Sequence, residues 1–150
     1  MNAIDLLKAD HREVERLFAK FLASEISDTR IREDLFNQIE TELLLHGDVE
    51  ERVFYPAVAD FIPDKVEEAL NEHAQINEVL ADLTELNVDD DAFDPKMITL
   101  METVVNHVQD EESADGILGL AQQKLDDARL ERIAMQIQAL KRSFPEELAA

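Results

Sequence analysis

His46-Gly47-Asp48-Val49-Glu50 and His107-Val108-Gln109-Asp110-Glu111 carry one H-x-x-x-E pattern twice, and their reading decides the fold. Each copy is preceded by a further histidine at nearly constant distance: His11 lies 35 residues before His46, and His73 lies 34 before His107. The two copies are offset by 61–62 residues, and each glutamate is doubled, as Glu50-Glu51 and Glu111-Glu112. These are all the histidines of the chain, and scattered surface residues would not obey such arithmetic. On a helix, residues four apart share a face, so each H-x-x-x-E can offer an imidazole and a carboxylate to one centre.

The surrounding residues supply the helices. Ile4, Leu7, His11, Val14, Phe18 and Phe21 step by three and four, predicting a helix from about Ala3 to Ser24. A second begins near Asp28-Thr29 and carries Leu35, Ile39, Leu43, His46, Glu50, Val53 and Ala57 on one stripe; Pro56 should bend or end it. The third runs from about Pro63 to Leu86, with Val66, Ala69, His73, Ile76, Leu80 and Leu83 inward. After the aspartate-rich stretch from Asn87 to Phe93, Asp94-Pro95 reads as an N-cap followed by a first-turn proline. The fourth carries Met97, Leu100, Val104, His107, Glu111, Ala114 and Leu118, with Gly116 and Gly119 weakening its end. A short fifth helix, about Asp127 to Arg142, holds Ile133, Ile137 and Leu140 and the basic residues Arg129, Arg132, Lys141 and Arg142; a loose tail is expected from Pro145.

Short loops between long helices predict an all-α, up-down-up-down antiparallel four-helix bundle with this fifth C-terminal helix. At 1.5 Å per residue, each histidine lies roughly 18–25 Å along its helix from the connecting loop, so all four can sit at one level. The expected organisation is a single domain over residues 1–150, its core bundle about 3–120 and its last helix about 127–142.

Composition narrows the function. The net charge of −21 argues against nucleic acid and anionic membranes as partners, because such binders need a basic footprint. The absence of cysteine excludes disulfides, iron–sulfur clusters and thiol catalysis. No basic start, long apolar run or membrane-length segment is present, so a cytoplasmic location is expected. No Ser/His/Asp arrangement, glycine-rich phosphate loop or dinucleotide fingerprint occurs either.

A lone histidine on an apolar stripe is usually a satisfied core residue, and a single H-x-x-x-E is weak. Here all four histidines lie on apolar stripes, and Glu50 and Glu111 continue two of them. An ionised carboxylate inside a bundle costs several kcal/mol unless paired, and the basic residues do not lie on these stripes. Dications supply the compensation. Six ligands exceed the usual four of one zinc ion; they could surround one octahedral ion, but two facing copies more naturally make two bridged ions. Nitrogen and oxygen donors without thiolate suit iron, manganese or zinc.

The segments Leu6-Leu-Lys-Ala-Asp-His11, His46-Gly-Asp-Val-Glu-Glu-Arg-Val-Phe-Tyr-Pro56, Glu72-His73-Ala-Gln-Ile-Asn77 and His107-Val-Gln-Asp-Glu-Glu112 resemble the hemerythrin-like, HHE cation-binding domains. The resemblance spans most of residues 3–120. It implies a non-haem di-iron centre, carboxylate- and oxo- or hydroxo-bridged, with Glu50 and Glu111 as bridges. His11 and His46 would be terminal ligands on one side, with His73 and His107 completing the set. Proteins of this family bind oxygen, respond to oxidants or nitric oxide, or handle iron. One departure stands out: the oxygen carriers of the family have a fifth histidine four residues after that of the third helix, where this chain has Asn77. An open coordination position is implied, favouring reaction with peroxide, oxygen or nitric oxide over reversible oxygen carriage. Glu15, four residues after His11, could supply a substitute carboxylate, although its neighbours Arg12 and Arg16 favour the surface. Tyr55 could donate a hydrogen bond or an electron, but rim packing is the expectation, and Glu51 and Glu112 are expected behind the ligands or in solvent. The leading reading is therefore a di-iron protein in oxidative or nitrosative stress or iron homeostasis, which could support catalase-like peroxide decomposition. The alternatives are a redox or oxygen sensor acting through a protein partner, and iron storage or detoxification.

Overall fold

Each long helix buries one stripe, and four such stripes meet along a common axis. In the computed structural model, which describes residues 1–149 and their side chains as far as Phe144, the helices are α1 (Ala3–Ala23), α2 (Thr29–Val49), α3 (Tyr55–Val58), α4 (Pro63–Thr84), α5 (Phe93–Glu112), α6 (Ile117–Lys124) and α7 (Asp127–Ala149). A five-residue π turn, Glu50–Phe54, joins α2 to α3 without interrupting the rod. The four bundle members are α1, the α2–α3 rod, α4 and α5; α1 packs on α2 and α4 on α5, as short connections require of antiparallel neighbours. Among the described residues there is no strand, and no helix is long and apolar enough to cross a membrane.

The first helix starts where Asn2 accepts a hydrogen bond from the Asp5 amide while the Asp5 carboxylate accepts one from the Asn2 amide. This reciprocal cap satisfies two otherwise orphaned donors. The start of α5 differs from the sequence expectation. Asp94 does not cap the helix, which begins at Phe93; its carboxylate pairs instead with the buried guanidinium of Arg32. Arg32 also donates to Ser24 Oγ at 3.1 Å and lies 4.2 Å over the Phe21 ring. A buried arginine needs a counter-charge more than a helix needs one particular cap, so the ion pair takes the carboxylate.

The fourth helix also ends earlier than its periodicity suggests. It stops at Glu112, and a second, short helix begins at Ile117. Gly116 permits this return: a Cβ there would stand 2.0 Å from the Asp110 carbonyl oxygen. The last helix packs on α1, α2 and the π turn. It continues through Pro145 to Ala149 rather than loosening at Pro145, and Ala150 lies outside the described residues.

Apolar packing falls into two clusters. One gathers Ile4, Leu7, Val49, Phe54, Val58, Ile117 and Leu118 with Leu130, Ile133 and Ile137 of α7. The other gathers Val14, Leu17, Phe36, Ile39, Ile76, Leu83, Phe93, Met97 and Leu100. Every one of these side chains is buried, and each such burial stabilises the fold by roughly 1.5–3 kcal/mol. The histidines sit where one cluster gives way to the other: His11 follows Leu7 and precedes Val14, and His73 follows Ala69 and precedes Ile76. A polar layer is thus enclosed between two apolar ones.

Candidate metal centre

Four helices each contribute one histidine to that layer: His11 from α1, His46 from α2, His73 from α4 and His107 from α5. Glu50 enters from the first residue of the π turn and Glu111 from the last turn of α5. All six are buried, Glu50 completely at 0% exposure. Their donor atoms form two groups of four, His11–His46–Glu50–Glu111 and Glu50–His73–His107–Glu111, with all atoms in a group within 4.8 Å of one another. The two glutamates belong to both groups. The structure therefore groups His11 with His46, as the resemblance implied, and places His73 with His107 in the other group, an assignment left open above.

The tautomers explain why these groups call for cations. Each histidine turns Nδ1 outward to a carboxylate: His11 to Glu112 (2.6 Å), His46 to Asp10 (3.0 Å), His73 to Glu51 (3.3 Å) and His107 to Glu72 (2.8 Å). A carboxylate can only accept, so the proton belongs on Nδ1 and the Nε2 lone pair faces inward. Inside, His11 Nε2 lies 3.1 Å from His46 Nε2, and His73 Nε2 lies 3.1 Å from His107 Nε2. Two lone pairs at that distance repel unless a positive charge stands between them. Donors about 2.1 Å from a shared ion, at angles of roughly 90–100°, lie about 3.0–3.2 Å apart, so the spacing fits common ligation. Glu50 Oε2 and Glu111 Oε1 point the same way, since both are buried and receive no hydrogen bond. Imidazole and carboxylate donors without thiolate fit iron, manganese or zinc.

In the absence of metal, protons take the place of the cations. Burial opposes charge on His46, but the carboxylates of Glu50 and Asp10 outweigh it and raise the pKa to about 10. His107 is raised to about 9, burial again being overcome by Glu50, Glu111 and Glu72. His73 is also raised, burial yielding to the Glu50 carboxylate. Burial pushes Glu50 up, yet His46, His107 and His73 hold it well below the usual carboxylate range. A site that gathers this many protons is one that dications can fill by displacing them.

Tyr55 belongs to the centre, contrary to the expectation of rim packing. It is buried, its hydroxyl donates to Glu111 Oε2 at 2.6 Å, and it lies 3.1 Å from His73 Nε2. On an α-helix Tyr55 would stand about 140° around from Glu50. The π turn removes that offset, because the Tyr55 amide donates to the Glu50 carbonyl, five residues back. The cause is legible in Pro56. Its ring would press on the carbonyl four residues before it, and a wider turn relieves that clash without ending the helix. Pro56 therefore widens the rod where it was expected to bend or stop it, and the widening aims Glu50 and Tyr55 inward together.

The outer carboxylates follow a rule that sequence reading caught only in half. Glu51 and Glu112, each directly after an inner glutamate, accept from His73 and His11. Asp10 and Glu72 were missed, yet each directly precedes a histidine and reaches across to the histidine of the neighbouring helix. The doubled pair Asp10-His11 and Glu72-His73 was the available signal. Glu15 stands outside both donor groups, its carboxylate 3.4 Å from Arg12 Nε at the surface.

A cavity of about 220 Å³ opens from this layer, lined by all four histidines and by Asn77, with Val14, Leu43, Ile76 and Val104 as walls. Asp48 and Glu51 also line it, so a small molecule can reach the histidines between apolar walls and two carboxylates.

The bundle and its two four-donor groups define a cation-binding helical domain. The chain belongs to the hemerythrin HHE cation-binding domain family, whose model matches residues 2–115. A solved hemerythrin HHE cation-binding domain-containing protein of Mycobacterium kansasii shares the fold at a TM-score of 0.87, covering 99% of this chain and 91% of that one at 23% identity. An uncharacterized hemerythrin-like protein of Schizosaccharomyces pombe is 27% identical over 115 residues, covering 74% of this chain and 56% of its own. A protein named DNA nickase from Nostoc sp. is 26% identical over 149 residues, covering 99% of this chain and 41% of its own. This chain thus spans less than two thirds of either curated relative.

Proposed function

We propose that this protein holds two iron ions, one between His11 and His46, the other between His73 and His107, with Glu50 and Glu111 shared between them, and that the centre reacts with a small oxidant. The observation that carries this reading is the pair of four-donor groups with common glutamates, whose four histidines line the cavity. Bound there, iron supplies a redox centre to which peroxide, oxygen or nitric oxide can attach. The chain's own residues do the rest. The outer carboxylates fix each imidazole with its proton on Nδ1 and so keep Nε2 available for binding. Tyr55 donates to Glu111 and holds that carboxylate in place against the site. Val14, Leu43, Ile76 and Val104 give the passage apolar walls, and Asp48 and Glu51 on the same lining disfavour anions, so small neutral molecules enter more readily. Asn77 is a much poorer ligand than histidine, which leaves room for the oxidant beside His73.

Diferrous protein mixed with hydrogen peroxide, oxygen or nitric oxide should change its visible spectrum within the mixing experiment. Indifference to all three would overturn the reading. Nucleic acid forms no part of the proposal: the nickase is matched over 41% of its length, and a chain of net charge −21 offers no basic footprint.

A second reading, a redox sensor speaking through a protein partner, draws on one contact. Lys141 of α7 donates to Asp10, which in turn accepts from His46. Under that reading hydrogen exchange over residues 127–144 differs between reduced and oxidised protein, and identical exchange would dismiss it.

A further inference from the structure

Resting on the two-metal reading, we propose that the two halves of the centre are unequal and that the His73/His107 half takes the first metal ion. The inner donors are matched, two histidines and the same two glutamates for each half. The difference lies one layer out.

On the His11/His46 side both supporting carboxylates are neutralised. Asp10 receives Lys141 Nζ at 2.5 Å, and Glu112 is paired with the guanidinium of Arg12. On the His73/His107 side neither supporting carboxylate makes an ion pair with lysine or arginine among the described residues. Glu72 stands instead in a group with Glu68 and Asp110; burial and the neighbouring Asp110 carboxyl raise its pKa, and His107 opposes the rise. Behind one pair of histidines both supporting carboxylates are thus paired directly with a base, although Glu15 shares Arg12 and Glu42 stands near Asp10; behind the other pair neither is, among the described residues.

This has one direction of effect. Negative charge a few ångströms behind an imidazole draws its Nδ1 proton outward, strengthens the Nε2 lone pair and attracts a dication through space. Lysine and arginine at the same depth cancel both influences. These charges are partly screened by solvent, and two direct ion pairs on one side, set against none on the other, predict an affinity ratio of about tenfold between the halves. Part of the asymmetry belongs to α7, because Lys141 lies beyond the residues that the family model matches.

Only four histidines are present, so each can be followed separately. Metal-free protein carrying 15N in its histidine rings would be titrated with Zn2+, reading the imidazole nitrogen shifts. After the first equivalent, the signals of His73 and His107 should show the large shift of coordination while those of His11 and His46 stay near their starting positions; the second equivalent then moves the latter pair. In the variant carrying Arg12→Met and Lys141→Met, both on the partly exposed outer layer, the two steps should approach each other to within about threefold. Total uptake of two ions with His11 and His46 shifting first, or all four in parallel, overturns the order and leaves the two-metal reading standing. An unchanged separation in the double variant overturns the assigned cause. Uptake that ends at one ion per chain overturns both the order and the two-metal reading.

Discussion

Tyr55→Phe removes one oxygen and nothing else, and its cost should depend on whether metal is bound. In the metal-free protein the Tyr55 hydroxyl gives Glu111 Oε2 its hydrogen bond at 2.6 Å, while Glu111 Oε1 has no hydrogen-bond partner. The phenylalanine variant therefore buries a carboxylate with no donated hydrogen bond on either oxygen. A lost hydrogen bond to a charged group costs about 1.5–3 kcal/mol, and the buried position puts this one toward the upper end. For a chain of this size that is a fall in Tm of roughly 5–10 °C. When cations fill the centre they hold Glu111 directly, so the same substitution should cost about 1 kcal/mol or less. Calorimetry on metal-free and metal-loaded pairs of wild type and variant measures both numbers. An equal loss in the two states, or no loss in the metal-free one, would refute the assignment of Tyr55 to the centre.

Three further outcomes follow from particular contacts. The folded pKa values of His46 and His107, about 10 and about 9, exceed the unfolded value of 6.5, so their contribution is complete below pH 6.5 and lost as pH rises through 9 to 10. Glu50, held low, contributes above pH 4.5 and loses that contribution as pH falls through its folded pKa. Unfolding free energies of metal-free protein from urea titrations should therefore peak between about pH 5 and 6.5 and then decline by at least about 2 kcal/mol toward pH 10; a flat profile would contradict the histidine pairing. Gly116→Ala should destabilise by about 2 kcal/mol or more and lower metal content, because its Cβ would meet the Asp110 and Glu111 carbonyl oxygens at 2.0 and 2.7 Å; unchanged Tm and metal content would show that the α5–α6 corner can open freely. Asn77→His should narrow the passage beside His73 and slow the reaction of diferrous protein with peroxide, measured by stopped flow; an unchanged rate would place the oxidant elsewhere.

The helix stripes carried the positions of all four histidines, Glu50 and Glu111, because burial imposes a 3.6-residue period and these residues obey it. Tyr55 did not obey it. The π turn resets the helical phase after Glu50, and a reading that treats Pro56 only as a helix breaker cannot see that reset. Asp94 was misread as a cap because its competing partner, Arg32, lies on another helix and is 62 residues away. Asp10 and Glu72 escaped notice for a similar reason: each serves the histidine of a neighbouring helix, so its role exists only after the bundle has assembled. Periodicity reports which face a residue occupies, whereas pairing across helices belongs to tertiary structure.

The account stands or falls on the number of metal ions held by the two donor groups. Metal-free protein loaded anaerobically with ferrous iron and desalted should retain two irons per chain, and Glu50→Gln, which weakens a carboxylate common to both groups, should lower retention at both. One iron per chain, or none, in the wild-type protein would contradict the proposal that Glu50 and Glu111 join two metal sites.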